Sequence, residues 1–173
     1  MKVREILRRS TAAEHGRVDD LFSRFDLGRR EGYGRFLLAQ ATALLPAERE
    51  LDRLHAATAV PDSPERRRSS LLRADLAELS ITAPEPFDAL ELSPAKASIL
   101  GATYVLEGSR LGGALLKREV ADGLPQQFLD ARQDAGSWRT LLRLLDEFLI
   151  RPNDVETAVK AARQRFGCFE RAG

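Results

Sequence analysis

Hydrophobic positions recur along the chain at intervals of three and four, the spacing of one face of an α-helix. No stretch alternates with the period of two that marks a half-buried strand. The first run predicts a helix from about Val3 to Phe25, with Leu7, Thr11, His15, Val18, Phe22 and Phe25 on one stripe that should face inward. "DLGRREG" (26–32) breaks the pattern. A second helix is predicted from about Tyr33 to Ala57, with Pro46 as a place for a bend. "VPDSP" (60–64) reads as a turn in which Ser63 caps a third helix over roughly Pro64 to Leu79. "TAPEPFDALELSP" (82–94) is a proline-bearing connection. Ser93 then caps a long helix that has Pro94 at its first position and reaches about Glu119. Gly123 and Pro125 interrupt the chain again. The last helices are predicted over residues 137–149 and 153–169, the latter capped by Asn153 or Asp154. Six or so helices with short joints, no internal repeat and no low-complexity segment describe an all-α bundle, one domain over residues 1–173.

Composition changes this picture little. Of 173 residues, 43% are hydrophobic and 31% charged, enough for a core inside an ordinary polar surface. A net charge of +1 favours neither nucleic acid nor a membrane surface. The run "ERRR" (65–68) is short, has no aromatic residues between its cations, and is read as a solvated helix face. A single cysteine, Cys168, rules out an internal disulfide or a cysteine-cluster metal site and fits a reducing compartment. The start "MKVREILRRS" lacks the apolar run of a signal peptide, and "FLLAQATALLPA" is too short to span a bilayer. A cytoplasmic domain is expected.

Two features stand out from the helical background. "GSRLGG" (108–113) puts three glycines in six positions of a predicted helix, at a cost of roughly 1 kcal/mol each relative to alanine. Gly108 and Gly112 are four apart and share a face, and Gly113 should widen the bare patch. Such a patch suits a close helix crossing, or contact between backbone and a flat ligand; the motif does not choose. The second feature is His15 on its apolar stripe. A lone inward histidine is either a satisfied core residue or a ligand. Asp19, one turn later, can accept the ring's second N–H and fix its tautomer. Arg8, two turns earlier, can meet an anionic arm of a ligand whose metal sits at His15. His55, near the end of the second helix, is given no role.

With these elements together the sequence resembles the heme oxygenase family. "LRRSTAAEHGRVDDLF" (7–22) resembles the family's proximal helix with its L-(K/R)-x-x-T-x-x-x-H pattern. "ATYVLEGSRLGGALL" (102–116) resembles the distal helix, and "AVKAARQRFGCFE" (158–170) the last core helix. "YVLEGSRLGG" is similar to the bacterial branch, including members associated with phytochrome photoreceptors. The resemblance implies His15 as the proximal iron ligand, Asp19 as its acidic contact, and Arg8, with Thr11 of the same pattern, on the cofactor side. Gly108, Gly112 and Gly113 match the distal glycines, and Arg163 falls where a basic propionate contact is expected. Tyr104 stands beside Thr103, which occupies the position of a propionate-contacting tyrosine in some relatives. Ser109 follows the first distal glycine where many members have aspartate; a hydroxyl can hold water but carries no charge.

The resemblance further implies a heme oxygenase-like fold and oxidation of heme by O2 and reductant to biliverdin, CO and Fe2+, with heme both cofactor and substrate. No flavin or nicotinamide fingerprint is present, so an external electron donor is implied, a ferredoxin or flavoprotein reductase reaching Arg8, Arg9 and Arg163. A bacteriophytochrome is a candidate acceptor of biliverdin. Two other readings remain open at this level: a heme binder or sensor without turnover, and a ligand-free helical interaction module.

Overall fold

The computed structural model describes residues 2–85, 91–131 and 134–173, and within them the chain forms α-helices and no strand. The order is α1 (Val3–Ser10), α2 (Ala12–Phe22), α3 (Arg30–Arg53), α4 (Ser69–Glu78), α5 (Lys96–Leu116), α6 (Gln127–Asp130), α7 (Ala135–Phe148) and α8 (Pro152–Ala172). Single 3-10 turns lie at Ala56–Thr58, Pro64–Arg66 and Lys117–Glu119. The expected connection over 82–94 falls partly on residues 86–90, outside the described residues.

The differences from the sequence pattern have local causes. The first run is two helices, not one. Thr11 has φ −116° and ψ 10°, and its Oγ1 donates to the Leu7 carbonyl at 2.8 Å. The bonds from Thr11 N to Leu7 O and from His15 N to Thr11 O carry the ladder across, so the junction is a bend of the kind a back-bonding threonine produces. α3 runs through Pro46 without ending and stops at Arg53. His55 sits beyond it at φ +52°, a left-handed conformation that closes the helix. Ser63 and Pro64 open only a 3-10 turn, and α4 begins at Ser69. Ser93 accepts from Ala95 N in a local turn, and α5 starts two residues after Pro94. α8 starts at Pro152, whose missing N–H suits the first helical position, with no side-chain cap from Asn153 or Asp154. The short α6 had no sequence prediction. It exists because buried Asp75 of α4 accepts from the backbone N–H groups of Gln127 and Phe128, at 3.1 and 2.9 Å.

α5 and α8 form the centre. α5 is buried continuously from Ala97 to Thr103 and again from Val105 to Glu107. A Cβ on Gly101 would lie 2.2 Å from the Ala158 carbonyl oxygen, so the two helices cross there with no room for a side chain. Ala158, Ala161 and Ala162 continue the close seam on α8. α3 packs on α8 and α4, α1 packs on α7 and α8, and α2 lies against α8. Phe22, Phe25, Phe36 and Phe169 join α2, α3 and α8 through tilted and edge-on ring contacts 5.6–6.3 Å apart.

Candidate functional site

The proximal side is built on α2. His15 Nδ1 lies 2.9 Å from Asp19 Oδ2 across one turn, and the two side chains are 63% and 66% exposed. The sequence stripe placed His15 inward; here the correction is one of cover. Leu7, Thr11 and Phe22 of that stripe are buried, but among the described residues the only ring against the imidazole is Phe166 of α8, edge-on at 5.7 Å. A carboxylate 2.9 Å from Nδ1 favours the tautomer that carries its proton there, the one in which Nε2 is open to a metal. Two further contacts from one face of α8 hold this helix. Arg163 donates through Nε and Nη2 to the Ser10 carbonyl at 3.1 and 2.8 Å and lies 3.5 Å from Glu14. Arg17 grips Glu170 with two bonds of 3.1 Å. Residues 163, 166 and 170 share a helix face, so α8 braces α2 on either side of the imidazole. Phe166, Glu14, Arg17 and Glu170 were not singled out from sequence.

The opposite elements come from α5. A Cβ built on Gly108 or on Gly112 meets nothing within 4 Å, and both residues are exposed. The close helix crossing belongs to Gly101 instead. Gly113 does not widen the bare face: it is buried, with its Cβ position 3.3 Å from Leu129 of α6, because it lies a further 100° around the helix. Leu111 and Leu115 are exposed on the same half of α5, so the open backbone has an apolar margin. Ser109 is half-buried. Its hydroxyl donates to Leu106 O at 2.8 Å and accepts from Arg68 Nη2 at 2.7 Å.

α1 and α5 approach at Tyr104. The phenol stacks on Trp138 of α7 with ring centres 5.9 Å apart. Burial pushes its pKa above the ordinary tyrosine value, while the charges of Arg8 and Arg4 pull it back down. Arg4, Arg8 and His15 follow one side of α1 and α2, and Tyr104, Gly108 and Gly112 one side of α5. The charges of Arg8 and Arg4 reach Tyr104, so the α1 end of the first row lies within electrostatic range of the start of the second. Thr11 is buried with its hydroxyl bonded to Leu7 O, so it shapes the bend that presents His15. Thr103 is likewise buried and bonded back to Ile99 O at 2.8 Å.

The "ERRR" run is not a solvated face. Arg66 and Arg68 are buried, and Arg66 lies 3.1 Å from Glu107. The sequence signal that could have found Arg66 is the complementary one: Glu107 interrupts an otherwise apolar helix face, and a buried acid calls for a buried cation.

Among the described residues no group of three or more His, Cys, Asp or Glu could hold a bare metal ion. One imidazole with an orienting carboxylate fits a metal that arrives with its equatorial ligands already in place, and the apolar, side-chain-free face of α5 fits a flat organic ring. A macrocycle carrying its own metal satisfies both.

No family model matches the chain. Heme oxygenase PigA of Pseudomonas aeruginosa is 30% identical over 92% of this chain and 85% of its own length. The chain belongs to the heme oxygenase family. The heme oxygenase of Neisseria meningitidis, solved with NO and CO bound, superposes with a TM-score of 0.83 at 23% identity over 99% of this chain and 90% of that one. The heme oxygenase of Leptospira interrogans gives 0.73 at 20% identity, over 99% and 98%. The all-α architecture is therefore the family's. No helix among the described residues is long and apolar enough to cross a membrane.

Proposed function

We propose that this heme oxygenase binds heme between His15 and the Gly108–Gly112 face, and with O2 and an external electron donor cleaves it to biliverdin, CO and Fe2+. One observation carries the placement: on a single helix, Gly101 is explained by packing and Gly108 and Gly112 are not. A helix that forgoes about 1 kcal/mol at each of two exposed positions needs another reason, and a planar substrate supplies it.

Bound heme brings both the iron that activates O2 and the ring that is cleaved. The chain's own residues do the rest. His15 offers Nε2 to the iron, and Asp19 keeps the proton on Nδ1 and the ring in orientation. Phe166 limits rotation of that ring. Arg8 anchors a propionate, with the Tyr104 hydroxyl as a neutral partner. Thr11 and Arg163 act on heme binding through the α1–α2 bend, which they hold from inside and outside. Gly108 and Gly112 admit the ring and leave room for ordered water. The Ser109 hydroxyl proton is committed to Leu106 O, so Ser109 offers that water an acceptor only.

A ferredoxin or flavoprotein reductase is the donor we assign, docking where exposed Arg8 and Arg9 flank the heme edge. The chain then works in the cytoplasm as one unit over residues 1–173, and biliverdin passes to a bacteriophytochrome. The test is hemin with a reductant under air. Decay of the Soret band into biliverdin absorption supports the reading. A stable Soret band would mean binding without turnover, and no Soret shift on adding hemin would remove the site.

A further inference from the structure

Arg68, at the entry to α4, is 3% exposed. Its Nη2 donates to Leu106 O at 2.9 Å and to Ser109 Oγ at 2.7 Å, and its guanidinium lies 5.0 Å over the Phe128 ring. Among the described residues no carboxylate lies within 4.0 Å of that guanidinium. The two buried acids nearby serve other groups. Glu48 accepts from the backbone N–H groups of Arg68 and Ser69 and from the Ser69 hydroxyl. Glu107 pairs with Arg66 at 3.1 Å and with Arg110 at 3.4 Å. Burial, and then the Arg110 charge, push the Arg68 pKa down to about 10, with the more distant charges of Glu48 and Glu107 offsetting part of the fall, and the group is still a cation at neutral pH.

A buried cation with only neutral acceptors is costly, and folding alone would be served as well by an apolar side chain of similar size. The acceptors it has are informative. Leu106 O and Ser109 Oγ belong to the turn of α5 that carries Gly108, whose free side faces open space. The charge is thus separated from that face by one hydroxyl and the helix backbone.

We propose that Arg68 is a positioning residue for the heme reaction: it pins the 106–109 turn of α5 and holds a fixed positive charge behind the Gly108 face, favouring anionic ligands there. This inference rests on the heme site described above. Negative charge that builds on the distal side as electrons enter is stabilised by a preorganised cation, with no reorganisation at that moment.

The experiment compares ferric heme complexes of the wild type, Arg68→Lys, Arg68→Gln and Ser109→Asp. Azide is the anionic probe and imidazole the neutral one, both titrated by the Soret shift. Arg68→Gln removes the charge. Ser109→Asp neutralises it from a half-buried position while leaving Arg68 in place, which covers the case in which the glutamine variant folds poorly. Both should weaken azide by about tenfold, whereas Arg68→Lys should stay within about threefold and imidazole should be unaffected throughout. Equal azide affinity in every folded variant, azide and imidazole weakening in parallel, or, where both neutralising variants fold, an effect in only one of them would overturn the proposal. A heme spectrum indifferent to His15→Ala would instead overturn the site itself, so the two failures are distinguishable.

Discussion

Glycines on one helix give the site its sharpest test. At Gly101 an alanine Cβ would stand 2.2 Å from Ala158 O and 2.8 Å from Ala158 Cα, backbone atoms that cannot swing aside. The helices must separate, at a cost of about 1–3 kcal/mol after overpacking. At Gly108 and Gly112 the same Cβ meets nothing within 4 Å. There alanine recovers helix propensity of about 1 kcal/mol per site. At about 2–4 °C per kcal/mol for a chain of this size, the double alanine variant should melt about 4–8 °C above the wild type without heme. Gly101→Ala should melt below it. A bulkier residue separates stability from function: Gly112→Leu should leave the heme-free melt at or above wild type while weakening hemin binding at least about tenfold, since the side chain fills ring volume. Circular dichroism melts of heme-free protein and hemin titrations by absorbance supply both readouts. A double alanine variant less stable than wild type would refute the open face. A leucine variant that binds hemin normally would refute its use.

Other consequences follow from single contacts. Asp19→Ala, at an exposed i,i+4 pair, should barely move the melt but weaken hemin binding about tenfold, read by titration against wild type, because the ring loses its orienting acceptor. Asp75→Ala strands the Gln127 and Phe128 N–H groups in the interior and should cost about 2–4 kcal/mol in urea unfolding, with α6 exchanging its amide protons fastest. The chain's two tyrosines both titrate high: burial raises Tyr33, whose hydroxyl donates to Pro125 O at 2.8 Å, with Asp75 adding to the shift, and burial raises Tyr104. A raised folded-state pKa gives stability that is full below the unfolded value and is lost as pH climbs above it, so alkaline pH should destabilise the fold. Folded protein at pH of about 10 should accordingly show less tyrosinate absorbance than the unfolded chain, in which tyrosine is about half ionised. Arg8→Ala should move the Tyr104 titration still higher, and a shift downward would show that α1 does not approach Tyr104 as described.

The sequence carried the helices because their packing faces repeat with the helical period, and it carried the pairing of His15 with Asp19 because that contact is local. It missed what depends on the third dimension. The bend at Thr11 comes from a side chain choosing its own backbone over the stripe, which periodicity does not register. The exposure of His15 depends on how far α8 reaches, a matter of tertiary cover. Gly108 and Gly113 look alike in the chain and differ because α6 packs on one of them. Arg66 and Arg68 read as surface because a run of cations usually is; Arg66 is buried against Glu107 of α5, 41 positions away, and Arg68 against the Leu106 carbonyl and Ser109 hydroxyl of the same helix.

The central claim is that His15 Nε2 binds the heme iron. His15→Gly removes the ligand and leaves a space that free imidazole can enter. The account predicts that hemin bound to this variant loses the wild-type Soret and visible bands, and that adding imidazole restores them. Wild-type bands in the variant before any imidazole is added would contradict it.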